Sequence, residues 1–287
     1  VTAKIQFLAS YPKSGNTWCR VFLANYIGNT DEPVRLDELS GTEGIASERS
    51  FVDRWTGVES SLLTEGEIAD FKMEGFRHMN RKLEARGLIK VHDAYPLHGE
   101  PDWFPADAVA GVVYIVRNPL DVAKSLADHI GVSIDEAVCR LNDDNYALSE
   151  TRSRLNLQFR QSLHSWSGHV ESWLDGYKGQ LCRIRYEDML TEPEATFGKI
   201  VRALGYEYDE FRLKTAIRNS DFKVLKKDEQ EHGFKERSRF TQSFFREGKS
   251  GAWRKYLSGQ NVRDIVNRHR VLMTRLGYLS TGGEILV

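Results

Sequence analysis

Ala9-Ser10-Tyr11-Pro12-Lys13-Ser14-Gly15-Asn16-Thr17-Trp18 follows the apolar run Ile5 to Leu8 and leads into a helical pattern. An apolar strand, a short turn of small and polar residues and then a helix start form an anion grip. Pro12 sets the turn, Gly15 lets the backbone approach a ligand, and the first N–H groups of the helix have no intrahelical acceptor. Lys13 adds a mobile positive charge. The spelling is not G-x-x-x-x-G-K-[ST], in which the lysine follows the glycine, so a nucleoside triphosphatase or P-loop kinase is not indicated. Taken alone, the stretch also fits an ordinary strand-to-helix turn, and the rest of the chain has to decide.

Working outward, Thr17 to Ile27 carries a period suited to a helix packed on a sheet, ended by Gly28-Asn29. Thr30 to Ser61 reads as irregular connection, and Glu65 to Arg86 as a helix stopped by Gly87. Leu88 to His92 is a short strand whose Lys90 and His92, two apart, project from one face near its end. Ala110 to Val116, apolar almost throughout, reads as a strand covered on both faces. It runs into Arg117-Asn118-Pro119 and a helix through Ile130, which carries Ser125. A polar, helical insertion is expected over Val132 to Ser153, then a longer helix over Leu157 to Leu174, with Phe159, Leu163, Trp166, Val170 and Trp173 as its core stripe. Further elements are a strand, Leu181 to Tyr186, and helices over Pro193 to Leu204, Phe211 to Arg218 and Asn261 to Leu276. Residues Lys226 to Ser250, charged with interspersed Gly and Phe, read as a mobile flap.

The chain has 287 residues, enough for one large α/β domain, and no repeat or domain boundary is visible. The expected fold is therefore a single α/β domain, residues 1–287, with a mainly parallel central sheet flanked by helices. Forty Lys plus Arg balance 41 Asp plus Glu, which gives no global field for nucleic acid or an anionic membrane, so any basic site is local. Cys19, Cys139 and Cys182 fit neither a disulfide framework nor a zinc site, and no ligand cluster suggests a metal. No segment approaches the ~20 apolar residues of a membrane span, and a soluble, cytoplasmic protein is expected.

Three separated stretches resemble one family in its order. Tyr11 to Trp18 is similar to the 5′-phosphosulfate loop of sulfotransferases that use 3′-phosphoadenosine 5′-phosphosulfate (PAPS). Tyr114-Ile115-Val116-Arg117-Asn118-Pro119, with Asp121 and Ser125, resembles their 3′-phosphate strand and helix. Arg246-Glu247-Gly248-Lys249-Ser250-Gly251-Ala252-Trp253 resembles their late Arg-Lys-Gly-x-x-Gly-Asp-Trp segment. A P-loop-containing sulfotransferase architecture is implied, close to the cytosolic-type enzymes acting on small molecules.

The resemblance implies the following roles. Lys13 and the amides of Ser14, Gly15, Asn16 and Thr17 would hold the 5′-phosphosulfate, and Trp18 would stack on the adenine, with Tyr186 and Phe222 on the adenine side. Arg117 and Ser125 would bind the 3′-phosphate, and Arg246, Gly248 and Lys249 would close over it. His92, in Lys90-Val91-His92 where the family carries Lys-Thr-His, would be the base, and Lys13, Lys90 and Ser125 would complete the catalytic set. A neutral imidazole, with a reference pKa of about 6.5, suits proton acceptance from a hydroxyl.

Val91, Glu247 and Ala252 depart from the pattern. Glu247 places a negative charge near a phosphate site and is expected to face solvent. The dimer motif of many cytosolic members is not evident around Tyr256 to Arg263, which leaves the oligomeric state open. The expected partner is a small-molecule or carrier-bound hydroxyl acceptor. Phenol, alcohol and amine acceptors all stay open, with Phe51, Trp55, Tyr95, Trp103 and Phe104 as candidates to line its pocket.

Overall fold

The computed structural model describes residues 2–39, 44–150 and 155–287. Residues 40–43 of the expected connection and 151–153 of the expected insertion lie outside them. In chain order the elements are β1 (Ile5–Ser10), α1 (Asn16–Gly28), α2 (Arg49–Thr56), α3 (Glu65–Lys82), β2 (Gly87–Val91), β3 (Val109–Val116), α4 (Pro119–Ile130) and α5 (Ile134–Asn142). There follow β4 (Ala147–Leu148), β5 (Gln161–Ser162), α6 (Trp166–Glu171), β6 (Leu181–Arg185), α7 (Tyr186–Thr191), α8 (Pro193–Ala203), α9 (Glu210–Asn219), α10 (Phe222–His232) and α11 (Gly259–Arg275).

The central sheet is four-stranded and parallel, in the order β2-β1-β3-β6. All six residues of β1 are buried, and the period of two divides them between the sheet's faces. Ile5, Phe7 and Ala9 join one core with Phe76, Trp103, Phe104 and Trp173, while Leu8 joins the other with Phe22, Val113, Ile115 and Phe197. With both faces covered, β1, β2 and β3 are near-continuous apolar runs, whereas the edge strand β6 buries only Cys182 and Ile184 and leaves Arg183 exposed. Because β2 and β3 flank β1 on opposite sides, the chain reverses direction across the sheet there. Ligands of open α/β sheets bind at the strands' C-terminal ends at such a point.

Two expectations about elements fail. The helix expected over Leu157 to Leu174 begins only at Trp166, because Ser165 caps it by accepting a hydrogen bond from Gly168 N. Upstream, His164 adopts a φ of +56°, Phe159 N donates to Ser47 O at 2.7 Å, and Gln161–Ser162 pairs with β4. The apolar spacing there is helical, but pairing with distant chain overrides it. The connection over 30–61 contains α2, and the first residues of the stretch 226–250 continue α10. Asp221 caps α10 by accepting from Lys223 N, and Gly233 ends it at a φ of +79°. No helix among the described residues is long and apolar enough to cross a membrane.

Candidate active site

Each strand of the sheet delivers a site residue just past its C-terminal end. From β1 comes the loop with Lys13, from β2 His92, from β3 Arg117 and from β6 Tyr186. All four side chains line a cavity of about 650 Å³, whose wall also includes Gly15, Asn16, Thr17, Trp18, Lys90, Ser125, Phe222, Arg246, Glu247, Gly248 and Lys249. Of the residues expected to bind the donor or to act in catalysis, only Ser14 lies outside this wall. It is buried, and its Oγ has no partner among the described residues.

The loop is built tightly. Lys13 sits at a φ of +70° and Gly15 at +104°, left-handed conformations that cost a side-chain-bearing residue roughly 1–2 kcal/mol. At Gly15 a Cβ would lie 2.6 Å from Tyr186 Cδ2. Asn16 Nδ2 donates to Leu8 O at 2.9 Å, tying the start of α1 to the strand before it. Arg117 Nη1 donates to Lys13 O at 3.0 Å, and its guanidinium lies 4.2 Å from the Tyr186 ring centroid. The strand ends therefore brace the loop and leave the unpaired N–H groups of the first turn of α1 for an anion.

Burial, with the nearby charges of Lys90, Arg246 and Arg117, lowers Lys13 from the usual lysine range to about 7. Its ammonium lies 4.0 Å from the Phe244 ring centroid. Trp18 Nε1 donates to Ser220 O at 2.9 Å, and its ring meets Tyr186 edge-on at 5.9 Å. Phe222 is packed so close to Gly248 that a Cβ there would come within 2.3 Å of the ring.

His92 donates from Nδ1 to Ser10 O at 2.8 Å, which fixes the tautomer and leaves Nε2 as the basic nitrogen. Its pKa is held well below the usual histidine value by burial first and then by Lys90. Behind it, Tyr114 OH donates to His169 Nδ1 at 2.8 Å and His169 Nε2 donates to the His92 carbonyl at 3.0 Å. This support was not foreseen, because His169 in sequence is one polar residue within a core stripe.

The late segment is anchored by Asp121, whose carboxylate accepts from Gly251 N and Trp253 N, both at 2.9 Å. Arg246 pairs with Asp128 of α4. Glu247 does not project freely into solvent as expected. Its carboxylate accepts from Tyr256 OH at 2.7 Å. Buried Glu229 of α10 pins the chain beyond it, accepting from Ser243 Oγ at 2.8 Å and from Phe245 N at 2.9 Å.

The aromatic acceptor pocket is also corrected. Phe51, Trp103 and Phe104 are buried core residues, and Trp55 and Tyr95 pack against them; none lines the cavity. Phe7 alone brings Phe76, Trp103 and Phe104 within 6.0 Å, centroid to centroid, and core packing of that kind claims aromatics first. The cavity wall instead includes Ile45, Leu148, His129, Gln158 and Gln161.

A family model described as "Sulfotransferase domain" matches residues 5–277. The chain belongs to the sulfotransferase family. As a sulfotransferase it is an enzyme of sulfuryl transfer, as the three motifs implied. It is 23% identical to Sulfotransferase 1B1 of Canis lupus familiaris over 94% of this chain and 84% of that protein. It is 25% identical to Sulfotransferase 2A1 of Rattus norvegicus over 88% and 78%. Among solved structures it resembles mouse sulfotransferase SULT7A1 complexed with PAP, with a TM-score of 0.57, 21% identity and coverage of 93% of this chain and 85% of that one. It also resembles retinol dehydratase in complex with retinol and PAP, with a TM-score of 0.62, 17% identity and coverage of 95% and 82%. These likenesses bear out the expected fold. Among the described residues no group of three or more His, Cys, Asp or Glu has metal-site geometry.

Proposed function

We propose that this sulfotransferase transfers the sulfuryl group of PAPS to a hydroxyl of a small-molecule or carrier-bound acceptor, with His92 as general base. The observation that carries this reading is the convergence of Lys13, His92 and Arg117 from three adjacent strand ends, with the His92 tautomer set by Ser10 O. The mouse SULT7A1 and retinol dehydratase structures are complexes with PAP, which supports the choice of donor.

The residues present suit such a donor. The Ser14 hydroxyl and Arg117 Nε are buried without partners among the described residues, and unpartnered donors of this kind favour an anion. Lys13 and the amides of Ser14 to Thr17 would hold the 5′ end, Trp18, Tyr186 and Phe222 the adenine, and Arg117, Ser125, Arg246, Gly248 and Lys249 the 3′-phosphate. The stretch 226–250 would move to admit the nucleotide. Glu247, held by Tyr256, would stand beside the phosphate and weaken its binding.

In the transfer, the acceptor hydroxyl gives its proton to His92 Nε2 as its oxygen forms a bond to sulfur, and the sulfur–oxygen bond to the 5′-phosphate breaks. Negative charge appears on the departing oxygen, where Lys13 would stabilise it, and Lys90 would steady the sulfuryl oxygens. No step requires a metal.

The test is calorimetric titration with adenosine 3′,5′-bisphosphate (PAP), followed by turnover of PAPS with a panel of hydroxylated compounds. Binding with transfer that is lost in His92→Ala supports the reading. Absence of PAP binding, or undiminished transfer by His92→Ala, refutes the donor or the base respectively.

A further inference from the structure

Glu236 lies in the charged stretch between α10 and the late segment, and no motif singles it out. Its Oε1 accepts from Arg20 Nη2 at 2.5 Å, and its Oε2 accepts from Lys90 Nζ at 3.1 Å and, more weakly, from Thr17 Oγ1 at 3.4 Å. Arg20 is buried in α1, one turn beyond the anion-binding loop, while Lys90 stands in β2 two residues before His92. One carboxylate therefore joins the flap to α1 and to the strand that carries the proposed base.

Lys90 needs such a partner for two reasons. A lysine side chain holds about 2 kcal/mol of rotamer entropy, so without a fixed acceptor its ammonium has no reason to stay in one place. It is also enclosed, with its side chain only 14% exposed, among cations and neutral imidazoles. It shares the cavity with Lys13 from the loop, His92 from β2, His129 from α4 and Lys235 from the flap, and Arg20 of α1 stands across Glu236 from it. Burial lowers its pKa, and Glu236 is the carboxylate that pulls it back up. Glu236 itself stays ionised: burial raises its pKa, but Lys90 and Arg20 outweigh that and bring it down to about 2.

We propose that Glu236 is a positioning residue for sulfuryl transfer, holding the Lys90 ammonium in place beside His92, with Arg20 anchoring the carboxylate from behind. The inference rests on the function proposed above. Glu236 touches no reacting atom and acts through Lys90. The rival role has the opposite sign. A carboxylate lying where the sulfuryl oxygens belong would compete with the donor, and its removal would help.

The experiment uses the full chain, with Glu236→Gln, Glu236→Asp, Lys90→Ala and the double variant Lys90→Ala/Glu236→Gln. PAP affinity is read by calorimetry, and kcat and the donor KM are read across pH. Wild-type PAP binding and PAPS turnover test the parent reading separately, so a failure there is not confused with a failure of this inference.

Glu236→Gln is expected to lower kcat roughly 10–100-fold, the scale of a misplaced group, with PAP affinity within about 3-fold of wild type. Lys90 works protonated and Glu236 raises its pKa, so losing the carboxylate moves the alkaline fall in activity to lower pH. Glu236→Asp keeps the charge and is expected to restore much of that limb, and it serves as the probe should Glu236→Gln fail to fold. In the double variant, kcat is expected to fall no further than in Lys90→Ala, the mark of two residues acting as a unit. Unchanged or raised kcat in Glu236→Gln, an alkaline limb that does not move, or additive losses in the double variant would overturn the proposal.

Discussion

The wall of the cavity formed by strand ends and the wall formed by residues 233–251 hold their polar side chains by different means. On the strand side, backbone carbonyls hold two of the side chains, His92 on Ser10 O and Arg117 on Lys13 O, and Lys90 is the exception, held by Glu236 of the other wall. On the flap side the partners are side chains from elsewhere, with Glu236 on Arg20 and Lys90, Arg246 on Asp128 and Glu247 on Tyr256. A strand's carbonyl stays where the sheet puts it, whereas a side-chain partner can be traded for another ion. The first wall is preorganised and the second is exchangeable. Preorganised dipoles and charges do the larger part of transition-state stabilisation, so the chemistry should reside mainly in the first wall.

That comparison breaks if substitutions on the two walls cost the same. The largest effect is expected from His92→Ala, with kcat lower by about 10²–10⁴-fold, the usual contribution of a general base, while PAP affinity stays within a few-fold. A flap substitution that slows transfer as much would put the two walls on an equal footing.

Gly15→Ala comes next, since its Cβ would meet Tyr186 at 2.6 Å on a backbone at a φ of +104°. A destabilisation of about 1–3 kcal/mol is expected from the overpacking, seen as a lower Tm, with PAP binding weakened at least ~10-fold. Full PAP affinity in that variant would show that the loop yields and is not preorganised.

Proton uptake sharpens the comparison. Lys13 has a pKa near 7, and an anion bound beside it raises that value, so PAP binding should take up a proton. Uptake should approach one proton at about pH 8, where free Lys13 is mostly neutral, and vanish near pH 5.5, where it is already charged. Calorimetry in buffers of different ionisation enthalpy measures it. His92 gives the converse signature: its pKa lies well below the ordinary histidine value, so it stays neutral and kcat/KM should not fall as pH drops from about 8 through 6.5. A conventional histidine limb near 6.5 would show that burial does not depress His92 in the working enzyme.

Glu247→Gln should act least. Removing one partly exposed negative charge near the phosphate site is expected to tighten PAP binding about 2–5-fold, with kcat unchanged.

The same division explains what could be read in advance. β1, β2 and β3 are short, mainly apolar runs, β6 alternates apolar and polar residues at the sheet edge, and the strand ends lead to Lys13, His92, Arg117 and Tyr186, so local pattern and motif sufficed to place them. Glu236 bonds to Arg20, 216 residues away in sequence, and nothing in Gly233-Phe234-Lys235-Glu236 announces that partner. The stripe from Phe159 to Trp173 misled for a related reason. Its spacing is helical throughout, yet Gln161–Ser162 pairs with β4, and that pairing is invisible in the local sequence. The aromatic candidates for the acceptor pocket failed because Phe7 and its neighbours needed them for the core.

The latch between Arg246 and Asp128 has a consequence for ligand choice. A tethered carboxylate is an anion at an effective concentration on the order of millimolar, and dilution does not remove it. Inorganic sulfate or phosphate would have to contend with this resident rival for the guanidinium, whereas a ligand gripped at both ends by the cavity would displace it through combined attachment. With Arg246 as a phosphate ligand, as proposed, the latch would filter out small anions in favour of a two-headed one.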